Sequence, residues 1–527
     1  MEKEYVIGLN RGVDTVQFWK DVETITNLDN IPNRAVEVAN SRSGSNRLTH
    51  YYLTDEEAEL IRQDERVYVV EIPAYQRDDI EIGFKAIQPS GSDNHFTKAP
   101  DSDGNSFIDA TGSFKNWGLV RHKSLSNNYG TSFETNESYT YTLDGEGVDI
   151  VIQDSGIEAN HPEWEDEDGN SRLQQIDWFS ASGISGTQPN GFYTDYDGHG
   201  THCAGIAAGK TFGFAKNANI YAQKLAGLEG SSDPNTGIFT DDAFDTIRLW
   251  HANKSGSRPT VVNMSWGYGA TLSANNVSNI HWRGADYTSG DPALDYGIST
   301  YDNFNPWRIE ARASSVDVEI QEMIDAGIHV VIAAGNLNYK CEVTGGVDYD
   351  NYFTHGGSDY YYHRGSSPYD DEAIKIGSMN YASHDVNTDK KSSFSNAGPA
   401  VDIYAGGHFI VSAMSNTHNG DYTIGAYDPD DNYKQAVLSG TSMAAPNVAG
   451  VIALMCQANP KATPSSIKSS LLAKAGDAFL TGSATNDYTD DSTMGGDNKV
   501  LFNPFSQTSE PGNVSGIELI TANLMLS

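Results

Sequence analysis

Three short stretches, in the chain order Asp, His, Ser, carry the residue types of an activated serine nucleophile: V-I-Q-D-S-G around Asp154, D-G-H-G-T-H-C-A-G around His199 and G-T-S-M-A-A-P around Ser442. A serine hydroxyl is a poor nucleophile at neutral pH. Acyl transfer therefore needs an imidazole within hydrogen-bond reach to accept its proton, and a buried carboxylate to fix the imidazole tautomer. Asp154 ends an apolar run, where an ionised carboxylate is costly unless an N–H faces it. His199 lies between two glycines, which permit close backbone approach. Ser442 opens the apolar stretch M-A-A-P-N-V-A-G-V-I-A-L-M, where a helix would set its hydroxyl and its own N–H at a positive end. Singly, each has an ordinary structural reading as a turn cap, a packed histidine or an N-cap. Their joint occurrence, in order, favours the nucleophilic set.

A fourth stretch, V-I-A-A-G-N ending at Asn336, lies between His199 and Ser442. With it, the motifs and their order resemble those of the subtilisin-like serine proteases, an order that separates them from the trypsin and lipase types. The resemblance covers roughly residues 116–475. It implies a serine endopeptidase in which Ser442 attacks the peptide carbonyl, His199 shuttles the proton, Asp154 orients His199, and Asn336 donates its amide to the oxyanion. It also implies that substrate adds as an extra strand along Ser265-Trp266-Gly267, with Leu225 to Gly230 across the groove. Ala333-Ala334-Gly335 would wall the first specificity pocket, and their small size leaves room for a large apolar side chain. No cofactor is implied for catalysis.

The chain departs from the family pattern in places. Asn447 stands where the family commonly has His, and Ala405-Gly406-Gly407 replaces A-P-G. The run A-G-I-A-A-G-K-T-F-G-F-A after His199 lacks the Asn-bearing insert of the family's strong calcium loop. Structural calcium has two candidate loops, with oxygen-bearing side chains at alternate positions: Asp101, Asp103, Asn105 and Asp109, and Asp166, Asp168 and Asn170. Both lack the Gly and terminal Glu of an EF-hand, and Asp/Asn-rich turns are common. Two other functions stay open: a narrow-specificity processing protease, and a non-catalytic structural protein that keeps the fold.

These residues need a scaffold, and alternating strands and helices from residue 116 to about 480 predict a doubly wound, mostly parallel α/β sheet with helices on both faces. Catalytic groups then fall at strand ends and helix starts, beyond the carboxyl edge. Thr240 is expected to cap one helix, and another is expected over residues 315–326, stopping at Gly327. Residues 268–312 and 337–371 read as insertions beside groove motifs, as rims, lids or plain surface loops. Residues 1–75 read as a small α+β, ferredoxin-like domain ordered strand, helix, strand, strand, helix, strand. Val13, Val16, Trp19, Val22 and Ile25 mark its first helix, and a Thr54–Glu57 capping box opens its second. The passage H-Y-Y-L-T-D-E-E-A-E-L-I-R-Q-D-E-R-V-Y-V-V-E resembles the inhibitory propeptide of subtilisins, which implies an autoprocessed zymogen. Ile72 to Asp79 is then expected to extend into the groove, residues 76–115 to be a linker and processing region, and residues 481–527 a C-terminal extension.

With 71 acidic and 34 basic residues the net charge is −37, which excludes nucleic acid as a partner and leaves protein or peptide substrates and the chain's own propeptide. The amino terminus shows no basic n-region or apolar h-region. The longest apolar run, from Val448, falls far short of the roughly 20 residues that span a bilayer, so no membrane association is expected. Three widely spaced cysteines, Cys203, Cys341 and Cys456, cannot all pair. Together these features lead to the expectation of a cytoplasmic or virion-associated protein.

Overall fold

Along the strand Asp149–Asp154 every residue is buried, and successive side chains feed two different cores: Ile150 and Ile152 on one face, Val151 on the other. A strand covered on both faces splits its residues in this way because its side chains alternate with period two. Val261 and Val262, and Val331 and Ile332, repeat the split. The computed structural model describes residues 1–84, 117–125, 139, 141–228, 235–272, 277–299, 307–380, 389–418, 422, 424–427, 430–477, 488 and 492–506.

Among these, a nine-stranded sheet forms the body. Its strands Asn219–Lys224, Asp149–Asp154, Thr260–Met264, His329–Ala333, Ile374–Asn380 and Ile403–Gly406 lie side by side in that order, all parallel. Helices His199–Ala208 and Thr441–Ala458 contribute to one core, and Thr240–Asn253 and Ser314–Asp325 to the other. The architecture is the doubly wound α/β fold expected from the sequence. From Asp149–Asp154 the chain first adds a strand on one side and then crosses back to the other. The crevice of such a switch point opens at the strand's carboxyl end, which is Asp154.

The sheet also takes in Lys499–Val500, parallel to Ile403–Gly406, while Asn503 is buried and donates to Tyr139 Oη at 2.8 Å. The body therefore runs past residue 480, where the sequence reading ended it. Helix Thr240–Asn253 begins one residue earlier than expected: Phe239 holds the cap position, Thr240 is inside, and no side chain caps it.

The amino-terminal strands Lys3–Leu9, Val38–Asn40, Leu48–Leu53 and Val67–Glu71 and helices Thr15–Glu23 and Asp55–Ile61 follow the expected order, in an antiparallel sheet ordered second, third, first, fourth. The capping box forms, with Thr54 N donating to Glu57 Oε2 at 2.9 Å and Glu57 N to Thr54 Oγ1 at 3.2 Å. The first helix buries Phe18 and, of the expected positions, Val22, while Val16 is 77% exposed and Ile25, beyond the helix end at Glu23, 76% exposed. A step of three residues falls short of a full turn by about 60°, so five such positions wind off the core face.

This small domain lies on helices Thr240–Asn253 and Ser314–Asp325. Val6 and Leu48 pack on Val318, and Glu71 Oε1 accepts from Ser315 N at 2.7 Å, capping a helix start that has no side-chain cap of its own. Arg42 is buried between the two helices, with Nε 3.1 Å from Asp245 and its other arm on Glu319. Ala74–Gln76 is a 3₁₀ turn, so Ile72 to Asp79 is bent rather than extended. The strand comes later, at Glu81–Phe84, inside the stretch read as linker.

The two insertions meet each other. Strands Ala285–Tyr287, Val277–Trp282, Tyr352–His355 and Ser358–Tyr361 form one antiparallel sheet in that order, and Ile280, Tyr296, Ile309, Tyr339, Phe353 and Tyr362 share a core with it. They are a joint subdomain rather than separate loops.

Candidate active site

Asp154 and His199 come together because strand Asp149–Asp154 ends where helix His199–Ala208 begins. His199 Nδ1 lies 2.8 Å from Asp154 Oδ1 and 3.0 Å from Oδ2, with both side chains fully buried. The approach is close enough that a Cβ on Gly200 would stand 2.2 Å from the Gly156 carbonyl, which explains glycine there. Burial disfavours the imidazolium, but the Asp154 carboxylate outweighs it and holds His199 well above the usual histidine range.

Ser442 is the second residue of helix Thr441–Ala458, and its hydroxyl donates to the Ser265 carbonyl at 2.9 Å. In this resting geometry the hydroxyl is turned toward the groove segment rather than His199, as catalytic hydrogen bonds often are without substrate. Ser265 Oγ in turn donates to Ser442 O at 3.0 Å. Asn336 is anchored by its oxygen, which accepts from Thr441 N at 2.9 Å and Thr441 Oγ1 at 3.0 Å. That fixes the amide orientation and leaves the buried Nδ2 without a partner among the described residues.

The groove residues also converge. Glu81–Phe84 runs antiparallel to Trp266–Leu272, with Gly83 opposite Gly267 and Phe84 opposite Trp266, while Trp307–Ala311 pairs along the other edge. Ile82 Cγ2 lies 2.9 Å from where a Cβ on Gly227 would be, so this strand reaches the Leu225 to Leu228 side; residues 229–230 lie outside the described ones. Trp266 offers the groove only its backbone, because its indole is buried against Phe244 and Tyr268 and donates to Gln153 Oε1 at 3.1 Å. Ala333 ends its strand, Ala334 N donates to Ile376 O at 2.9 Å, and Gly335 N donates to Thr441 Oγ1 at 3.0 Å.

Sequence reasoning missed the residue that shapes the histidine turn. Asp195, fully buried, accepts from Ser155 Oγ and Gly198 N at 2.8 Å each through one oxygen, and from Thr201 N and Oγ1 through the other. In sequence it is one of two acids in T-D-Y-D-G-H, with no spacing to mark it. The two departures noted above touch each other: Asn447 Nδ2 donates to Gly406 O at 2.9 Å.

Asp154, His199 and Cys203 are the one set of potential metal ligands that converges among the described residues. The Cys203 thiol is pushed up by burial and so stays neutral, resting 3.4 Å from Ser442 O and 3.8 Å from His199 Nδ1. Asp166 closes a turn instead of presenting a ligand, its Oδ1 accepting from Asp168 N and Asn170 N at 3.0 and 2.7 Å. Asp101, Asp103, Asn105 and Asp109 lie outside the described residues.

The model of the subtilase family matches residues 145–502. The chain belongs to the subtilase family. Subtilases need no cofactor for catalysis. This subtilase is 28% identical over 412 residues to the subtilisin-like serine protease Pen c 2 of Penicillium citrinum, covering 72% of this chain and 68% of that one. It is 28% identical over 334 residues to an extracellular serine proteinase of Thermus sp. strain Rt41A, covering 63% of this chain and 56% of that protein. Among solved structures, fervidolysin from Fervidobacterium pennivorans, described as a keratinolytic enzyme related to subtilisin, matches 95% of this chain and 60% of its own. That match has a TM-score of 0.51 at 16% identity, a likeness of fold alone.

These relatives correct the expected cytoplasmic or virion-associated location, since the Thermus protein is named as extracellular. Three free cysteines do not call for a reducing compartment either, because all are buried away from oxidants. No described helix is long and apolar enough to cross a membrane.

Proposed function

We propose that this subtilase is a serine endopeptidase, with Ser442 as nucleophile, His199 as base and then acid, Asp154 orienting His199, and Asn336 with the Ser442 N–H as oxyanion donors. The observation that carries the reading is the buried Asp154–His199 pair at 2.8 Å, beside a serine at a helix start. His199 Nε2 takes the Ser442 proton as Oγ attacks the scissile carbonyl, and returns it to the departing amine. Asp154 keeps Nδ1 protonated and stabilises the imidazolium. Water then hydrolyses the acyl-enzyme by the same route. These steps involve proton and acyl transfer only, with no metal among the reacting groups; calcium held at residues 101–109 would serve structure.

Residues 1–75 act in this reading as an inhibitory propeptide, Glu81–Phe84 occupying the groove as a product-like strand, and the zymogen cuts itself between residues 76 and 115. The pairing of Gly83 with Gly267 supports it. The test is labelling by a fluorophosphonate probe with peptide mapping, alongside casein hydrolysis. Modification of Ser442 and loss of both signals in Ser442→Ala are expected. Casein hydrolysis that survives in Ser442→Ala would reject the assignment.

A further inference from the structure

At the amino edge of the parallel sheet, opposite the edge that carries Asp154, a cavity of about 290 Å³ opens between three connections. One joins helix Thr240–Asn253 to strand Thr260–Met264, one is the turn at Gly327 before His329–Ala333, and one joins helices Thr441–Ala458 and Pro464–Lys474. Among the described residues its lining includes Lys254, Arg258, Lys461, His251 and His329 but neither Asp nor Glu, in a chain where acids outnumber bases 71 to 34. The cavity is a basic hollow in an acidic molecule.

Two of its cations are fixed from behind. The fully buried Asp149 carboxylate accepts from Lys254 Nζ at 2.8 Å and from Arg258 Nε at 2.9 Å. Lys461 is exposed and pairs with no carboxylate among the described residues. Three cations against the single carboxylate that pairs with them leave two positive charges unbalanced.

His329 supplies an independent observation. It is 3% exposed, and its Nδ1 is sealed off without a hydrogen-bond partner among the described residues. Burial, with His251 nearby, pushes its pKa down to about 4, so the ring is neutral and one nitrogen carries a hydrogen. No group among the described residues accepts that hydrogen, and a buried donor left unpaired costs about 1–3 kcal/mol. The neighbouring cations repel a metal ion, so the group that would satisfy this histidine is an anion.

We propose that the cavity binds a phosphate dianion, free or as a small monoester, held by Arg258, Lys461 and His329. The proposal does not depend on the protease reading. Phosphate suits the site better than a carboxylate, because a dianion answers both unbalanced charges and offers a tetrahedron of acceptors to donors on three separate connections. Helix Pro464–Lys474 also begins at the cavity, adding its positive end. The volume lies near the lower bound of small-ligand pockets, about 300 Å³, and Pro259, Ala462 and Pro464 give apolar walls to a group that carries the phosphate.

The test is isothermal titration of the full-length chain carrying Ser442→Ala, which prevents self-digestion, with inorganic phosphate and with phenyl phosphate at constant ionic strength. Saturable binding at one site is expected, and Lys461→Glu and Arg258→Gln should each weaken it about 10–100-fold, the loss of one hydrogen bond to a charged group. Lys20→Glu makes the same charge change on helix Thr15–Glu23 of the small domain and should leave binding as it was. Tighter binding of phenyl phosphate assigns a monoester, and the reverse order assigns the free ion. Should Arg258→Gln fail to fold because Asp149 loses a partner, the exposed Lys461 decides alone. Absence of saturable binding by either probe overturns the proposal. Unchanged affinity in folded Lys461→Glu does the same, as does an equal loss in Lys20→Glu, which would show attraction to overall charge rather than to this cavity.

Discussion

His199 is the residue on which the pH behaviour turns. The reaction needs its neutral form, and Asp154, overcoming the burial that opposes the charge, raises the pH at which that form appears. A raised pKa means that at pH near 6.5 the base is still protonated, so activity rises as pH climbs through the raised value. The acid limb of kcat/KM should therefore lie above the ordinary histidine value of about 6.5, and Asp154→Asn should lower kcat severely. A limb at or below about 6, measured on a substrate without titrating groups, contradicts the coupling. Ser442→Ala and His199→Ala should each remove nearly all of kcat, and the double variant should be no worse than either, because the residues act as a unit. Asn336→Ala should cost about 10²–10³ in kcat, the loss known from subtilisin itself for this donor, with KM little changed since the bond strengthens in the transition state. Steady-state kinetics separate these outcomes, and a large rise in KM at normal kcat would remove Asn336 from the oxyanion site. These residues were legible because each chemical role imposes a local pattern that survives in the sequence: glycines beside His199, a helix start at Ser442, an apolar strand before Asp154. Asp195 was not, since it acts by meeting groups that only tertiary structure brings near.

Elements were legible where one periodicity decided them. Buried parallel strands, with apolar residues on both faces, and the Thr54–Glu57 box needed only neighbours in sequence. The insertions were opaque for the opposite reason: Val277–Trp282 pairs with Tyr352–His355 although helix Ser314–Asp325 and strand His329–Ala333 of the body lie between the two insertions in the chain, and neither segment alternates cleanly. Phe353 is fully buried in the core they share, stacked on Tyr360 and Tyr362 with ring centroids 5.9 and 5.8 Å apart. Phe353→Ala should cost the subdomain about 3–5 kcal/mol, the usual loss for a buried aromatic. Limited proteolysis checks this loss, with new cuts expected within residues 268–371 and the parallel sheet still protected. If the whole chain melted in one step with no local opening, the insertions would be part of the main cooperative unit rather than a separate one.

Across the whole molecule, the small domain and the body share a buried charge network, and that network fixes how they fit. Arg42 from the small domain meets Asp245 and Glu319 on two different helices of the body, where Arg248 also pairs with Asp245, Glu319 and Glu322. Burial works against the Arg42 charge, yet the surrounding carboxylates hold its pKa above the usual arginine value. Removing Arg42 leaves three acids around Arg248 alone. Such a loss of one buried partner costs about 3–5 kcal/mol, equivalent to roughly 10²–10⁴ in affinity. The small domain has a core of its own, including Ile7, Phe18, Tyr51 and Ile61, so residues 1–84 can be supplied as a separate chain. Added to the processed enzyme, that fragment should inhibit peptide hydrolysis competitively, and Arg42→Ala should raise its inhibition constant by about 10²–10⁴ while the fragment keeps its own circular dichroism spectrum. Arg42→Lys should recover little, because one ammonium cannot span carboxylates on two helices as a guanidinium does. A folded wild-type fragment that fails to inhibit at large excess disproves the propeptide role, and unchanged inhibition by folded Arg42→Ala shows that apolar contacts at Val318 carry the docking instead.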